Sequence, residues 1–168
     1  MTALRMPTGR PAVLTRSGSG QGDQRLDTGL VRRGHAHRVV VGVDGSPNSL
    51  AALGRAITQA RLRGAELDVV RVIPEDAGEP AAAAARAALR ELIARIGPGG
   101  PDVPVRLRVE RGEPAAVLLV VSAGAELLVI GARSHSAHGN MFGGDTVPRC
   151  LDYAQCHVDV CADHHGDN

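Results

Sequence analysis

The chain contains no lysine: all 19 basic residues among its 168 are arginines. That excludes a lysine Schiff base, a lysine general base and the lysine that reaches a phosphate from a Walker-type loop. Tryptophan is absent too, and Phe142 and Tyr153 are the sole phenylalanine and tyrosine. With a formal net charge of +1, the chain has neither the basic face nor the stacking rings that a nucleic-acid binder needs. The three cysteines, Cys150, Cys156 and Cys161, lie close together without a CxxC pair. They read as reduced thiols rather than as a disulfide framework or a zinc site, with Cys156, just ahead of the last strand, a small buried hydrophobe. No run approaches the ~20 apolar residues of a membrane span, and the N-terminus lacks the apolar stretch of a secretory signal. The expectation is a cytoplasmic protein with neither membrane nor nucleic acid as partner.

Residues 1–37 are rich in Gly, Ser, Thr, Arg and Gln, with the run Ser17-Gly18-Ser19-Gly20-Gln21-Gly22 and no hydrophobic period. Burial cannot offset the ordering entropy of such a segment, so a disordered tail is expected there, with a second short tail over 163–168. Between them, 38–162 reads as one domain.

From Arg38 onward short apolar runs alternate with helix-period segments, the signature of βα units around a parallel sheet. The run Val39-Val40-Val41-Gly42-Val43 predicts a central strand. The turn Asp44-Gly45-Ser46-Pro47 then predicts a helix start, with Ser46 as cap, Pro47 at the first position, and an apolar stripe of Leu50, Leu53 and Ile57 running to a stop at Gly64. A second strand over 67–73 precedes an Ala-rich helix from about Pro80 to Ile96, ended by Gly97-Pro98-Gly99-Gly100-Pro101. Val105, Leu107 and Val109 alternate with Arg106, Arg108 and Glu110, which predicts a strand with one wet face or at a sheet edge. Gly112-Glu113-Pro114 opens a third helix running to about Gly124. Leu127-Leu128-Val129-Ile130 is wholly apolar and therefore central; a short helix over 146–154 and an edge strand over 157–161 close the domain. Two apolar strands, the first and the fourth, suit an α/β doubly wound five-stranded parallel sheet, Rossmann-like, of order 3-2-1-4-5. In such sheets a ligand binds at the carboxyl ends of the strands beside the switch point, here Asp44-Gly45-Ser46 and Gly131-Ala132-Arg133.

The segment from Gly131 to Thr146 connects a central strand to a helix. Its glycines and small residues let backbone N–H groups approach an anion, and the helix N-terminus adds a favourable dipole. It is a candidate phosphate cradle. Arg133, and His135 or His138 when protonated, add positive charge around it. Phe142 within the loop reads as a packing anchor. His157, His164 and His165 lie near Asp159 and Asp163, but a loop and a terminal tail rarely converge on a metal, so solvated surface histidines are the simpler reading.

VVVGVDGS over 39–46, ERGEP over 110–114, LLVIGARS over 127–134 and AQCHV over 154–158 occur in this order. Together they make Arg38 to Ala162 resemble the universal stress protein family. The resemblance implies a stress-responsive cytoplasmic regulatory protein, usually a homodimer pairing its last strand, with ATP bound by some members and not by others. In ATP-binding members the loop reads Gly-x2-Gly-x9-Gly-Ser/Thr, matched here by Gly131, Ser134, Gly144 and Asp145. By the same resemblance Asp44 and the backbone around Val72 line the adenosine side, and Gly131, Arg133, Gly144 and Thr146 the phosphate side.

Two of the four motif positions depart. Ser134 disfavours the positive φ that glycine permits. Asp145 places a carboxylate where phosphate is expected, repelling it unless a divalent cation such as Mg²⁺ lies between; Thr146 is the neighbouring hydroxyl. Pro148 removes a donor from the first turn of the helix. Asp44 has a simpler role available, as a turn residue bonding its own backbone. Two functions stay open: a nucleotide-dependent regulator that binds ATP after the fourth strand, or a nucleotide-free dimeric interaction protein with a vestigial loop. No GxSxG, HExxH or Walker sequence is present, so no catalytic residue is assigned and an enzyme, such as a slow ATPase, is the least supported class.

Overall fold

A computed structural model of the protein describes residues 37–97, 100–132 and 145–162. Five strands, β1 (Arg38–Gly42), β2 (Glu66–Ile73), β3 (Val105–Arg111), β4 (Leu127–Gly131) and β5 (His157–Cys161), alternate with four helices. The helices are α1 (Pro47–Arg63), α2 (Glu79–Ala94), α3 (Pro114–Ser122) and α4 (Thr146–Tyr153). All strand pairs are parallel and the order is β3-β2-β1-β4-β5, as the two apolar runs require. The expected tail over 1–37 falls outside the described residues except for His37, and the one over 163–168 falls outside them entirely.

Side chains of the strands alternate between two layers. Val39, Val41, Leu67, Val69, Leu127 and Val129 pack against Ala52, Leu53, Ala56 and Ile57 of α1 and Leu89 of α2. Val40, Val70, Val72, Leu128 and Ile130 pack on Ala115, Leu118 and Val121 of α3 and Cys150 of α4. β1 and β4 are buried on both sides, which is why they read as continuous apolar runs.

β3 lies at the sheet edge, and Arg106, Arg108 and Glu110 form its solvated face. Three expectations shift. Leu50 is 43% exposed rather than part of the buried stripe, because it lines an open groove with Leu53, Ile57, Leu92 and Ile96 instead of packing on the sheet. α2 stops at Ala94, not Ile96: the last turn tightens, the amide of Ile96 donating to the Ile93 carbonyl, and Gly97 follows at φ +154°. Cys156, read as a buried hydrophobe, is only half-buried, while Cys150 is fully buried.

Near the amino end of the sheet lies a group that no periodicity announces. Asp68, in β2, is fully buried. Arg38 donates to its Oδ2 at 3.2 Å, and Arg108 approaches the same oxygen at 3.6 Å. The Arg38 guanidinium also donates to the carbonyls of Val121 and Ala123, both at 3.0 Å, tying the end of α3 to the sheet.

Candidate nucleotide site at the carboxyl end of the sheet

The chain leaves β1 through Asp44-Gly45-Ser46, and this turn is closed by its own side chains. The Ser46 amide donates to Asp44 Oδ1 at 2.9 Å, so Asp44 takes the turn role open to it. The amides of Asp44 and Gly45 donate to Ser49 Oγ at 3.3 and 3.1 Å. Ser49 returns its hydroxyl to the Ser46 carbonyl and its amide to Ser46 Oγ. Gly45 has φ +88°, a conformation in which a side chain would be strained. The N-terminus of α1 therefore keeps no amide of this turn for an anion. Sequence reasoning named Ser46 as the cap but missed Ser49; the signal was a second hydroxyl three residues after the first, the spacing of a capping box.

α3 is closed in a similar way. Gly112 turns at φ +135°, with Val117 Cγ2 only 3.0 Å from where a Cβ would stand. Glu113 accepts from the amides of Ala115 and Ala116 at 3.0 and 2.9 Å, and Pro114 occupies the first helical position. ERGEP is thus a turn followed by a cap. Arg149 of α4 donates to the same carboxylate at 2.6 Å. Burial alone would raise the Glu113 pKa, but the two amides and Arg149 outweigh it and hold the carboxyl below its ordinary range.

α4 begins differently. Asp145 precedes it in a helical conformation and its side chain makes no capping bond. Pro148 supplies no N–H, and the Arg149 amide already donates to the Asp145 carbonyl at 3.0 Å. The amide donors of this first turn belong to Thr146 and Val147. Thr146 is itself buried.

Across the split between β1 and β4 lies an open strand edge. The Val43 amide donates to the Val70 carbonyl at 2.8 Å, so the main-chain groups of Val70 face β1. On the opposite side the Gly112 amide donates to the Ile73 carbonyl at 3.1 Å, as the alternation along a parallel strand requires. Two residues beyond Val70, the N–H and C=O of Val72 face the same way, but the chain has by then turned off into the Asp44 loop. The side chain of Val72 is buried among the α3-side core, leaving its backbone as the part that a ligand could meet.

Gly131 ends β4, and its lack of a side chain is a packing requirement. A Cβ there would stand 2.6 Å from the Asn48 carbonyl carbon and 2.7 Å from the Ser49 nitrogen. The next residue is also committed: the Ala132 amide donates to the Cys161 carbonyl at 2.7 Å, and the Ala132 carbonyl accepts from the Asn48 side chain. Any phosphate cradle therefore starts after Ala132. Arg133, Ser134, His135, His138, Phe142 and Gly144 lie outside the described residues. Of the sequence-assigned site residues, Asp44, Val72, Gly131, Asp145 and Thr146 all belong to the carboxyl end of the sheet, on the connections after β1 and β4 and the last turn of β2.

Cys150, Cys156 and Cys161 are free thiols. Burial pushes Cys150 up to about 11 and raises the other two, so none is activated as a nucleophile.

The model of the universal stress protein family matches residues 35–161. A universal stress protein of Mycolicibacterium smegmatis is 34% identical over 130 residues, covering 73% of this chain and 44% of the relative. The chain spans about half the length of the curated relatives it matches. Among solved structures, a universal stress protein in complex with cAMP is 27% identical, with a TM-score of 0.61, over 76% of this chain and 98% of that one. One from Archaeoglobus fulgidus in complex with dAMP is 20% identical with a TM-score of 0.60, again over 76% and 98%, and speaks for the fold alone.

Proposed function

The chain belongs to the universal stress protein family, and we propose that it is a cytoplasmic stress-response regulator that binds an adenine nucleotide, ATP with Mg²⁺, at the carboxyl end of its sheet. The observation that carries this reading is the pairing of an open backbone edge at Val72 with the first turn of α4, the helix that follows β4, whose N-cap residue Asp145 makes no side-chain capping bond. An adenine can take both a donor and an acceptor from the N–H and C=O of one residue, as a neighbouring strand would. The first turn of α4 offers the Val147 amide and the helix dipole to a phosphate. Asp145 repels that phosphate directly, so a divalent cation held between them is what makes the carboxylate compatible with ATP. A relative of the same fold at 27% identity binds cAMP, which supports an adenine nucleotide here.

The protein works as a binder rather than an enzyme, and as a homodimer. β5 leaves one edge open, and its acidic residue does not oppose pairing: Asp159 turns onto α1, where Arg55 donates to it at 2.5 Å. No helix among the described residues is long and apolar enough to cross a membrane.

A second reading, a nucleotide-free interaction protein, draws on Gly131 and Asp145. Packing explains the glycine without a phosphate, and the carboxylate stands where the family motif has a hydroxyl. Calorimetric titration of the full chain, stripped of co-purifying nucleotide, with ATP and Mg²⁺ separates the two. Micromolar binding by the parent is the expected result. Binding by Asp145→Ser but not by the parent would favour the interaction protein with a silenced site, and no heat from either would remove the nucleotide reading.

A further inference from the structure

Arg71 interrupts the apolar run of β2 one residue before Val72, and its side chain lies on the α1 and α2 side of the sheet, half-buried. Its Nη1 stands 3.7 Å from where a Cβ on Gly45 would be, so the guanidinium reaches the turn after β1. Other arginines at this end of the sheet are committed. Arg111 donates to the Ala77 carbonyl at 2.9 Å and approaches Glu79, Arg86 donates to Glu79 at 2.6 Å, and Arg149 is held by Glu113. Arg71 makes no hydrogen bond or ion pair among the described residues. A guanidinium brought partly out of water has its five donors arranged for an anion, and leaving them unanswered costs free energy.

We propose that Arg71 is a second anion-binding residue of this site and selects nucleotides that carry a phosphate on the ribose in addition to the one at the 5′ position. The inference rests on the nucleotide reading above. A base seated against the Val72 edge, with its 5′-phosphate toward α4, places the ribose beside the turn after β1. There the Asp44 Oδ1 lone pair is already given to the Ser46 amide, and the amides of Asp44 and Gly45 are given to Ser49. Among the described residues, the cation that reaches this turn and can meet a phosphate on the 2′ or 3′ oxygen is the Arg71 guanidinium. A phosphate there would receive charge-assisted, bidentate hydrogen bonds. Gly45 keeps the approach clear, since a side chain at that position would stand in van der Waals contact with Nη1.

The test is the affinity of the full chain for adenosine 3′,5′-bisphosphate and for AMP, by calorimetry with Mg²⁺ present, in the parent and in Arg71→Gln. The parent is expected to prefer the bisphosphate by about tenfold, the worth of one charge-assisted contact. That preference should weaken as salt rises. In Arg71→Gln it falls to near parity while AMP binds within about twofold of the parent, a ratio change that a loss of fold would not produce. A parent that binds AMP without preferring the bisphosphate, or a variant that keeps the preference, overturns the role of Arg71 and leaves the nucleotide site standing. Binding of neither compound by the parent overturns the site and this inference together.

Discussion

The two ends of one sheet treat their polar groups in opposite ways. At the amino end, Asp68 is fully buried yet held by Arg38 and approached by Arg108, and Arg38 Nη2 donates to two carbonyls at the α3 terminus, while Arg38 Nε and Asp68 Oδ1 make no hydrogen bond among the described residues. His37 and Arg63 both meet Glu126 nearby, at 2.9 and 3.6 Å. At the carboxyl end, the Val72 edge faces a gap, Asp145 does not close its helix and Arg71 has no partner among the described residues. Charge answered from within the chain is structure; polar groups left unanswered at the switch-point end of a parallel sheet are where a ligand fits. The contrast sorts the charged residues of this chain into two kinds, and substitutions at either end test the sorting.

The largest effect is expected at Asp68. Asp68→Ala leaves Arg38 buried against no carboxylate, a loss of about 3–5 kcal/mol in urea unfolding. Replacing both partners together, with Arg38→Met and Asp68→Leu, should recover much of that loss, because the desolvation cost of the pair disappears along with its attraction. If Asp68→Ala unfolded at the parent midpoint, the amino end would be no more committed than the carboxyl end, and the comparison would fail.

Gly131 sharpens the boundary between the two kinds. It belongs to the family's phosphate motif, but its closest neighbours are the backbone of Asn48 and Ser49. Gly131→Ala must push β4 away from the first turn of α1, an overpacking cost of about 1–3 kcal/mol that is present without any nucleotide. Denaturation of the nucleotide-free variant measures it. Unchanged stability would return Gly131 to the ligand site and take it out of the packing.

These residues also show what was legible beforehand. Strand order followed from Val39–Val43 and Leu127–Ile130, because a strand covered on both sides has no polar position to interrupt it. The switch point, and with it the end of the sheet that holds the candidate site, followed from that order. Asp68 and Arg71 were not legible as opposites. Both are charges inside the same apolar run, and what separates them is a partner 30 residues upstream in Arg38 for one and none among the described residues for the other. Alternation gives the face of a strand but not the contents of the layer that covers it. ERGEP and VDGS were read through resemblance, while their local physics, a positive-φ glycine followed by a capping side chain, was written in the residue types. The close approach of Gly131 to α1 depends on tertiary packing that no local pattern encodes.

Glu113 carries the smallest expected effect and tests whether closure at the carboxyl end is itself a source of stability. Its carboxylate caps α3 and receives Arg149 from the helix that follows the candidate phosphate loop. Glu113→Ala should cost about 1 kcal/mol, the usual worth of an N-cap. The pH dependence distinguishes the charge from the mere presence of a side chain. Because the folded protein holds this carboxyl below its ordinary value of about 4.3, its contribution is complete above that pH and is lost as pH falls through the lower folded value. Parent stability, followed by urea unfolding from pH 6 toward about pH 3, should therefore decline more steeply than that of Glu113→Gln, which keeps an acceptor but cannot ionise. Parallel curves would mean that the Arg149 contact adds nothing, leaving α4 held by its buried Cys150 and Thr146 alone.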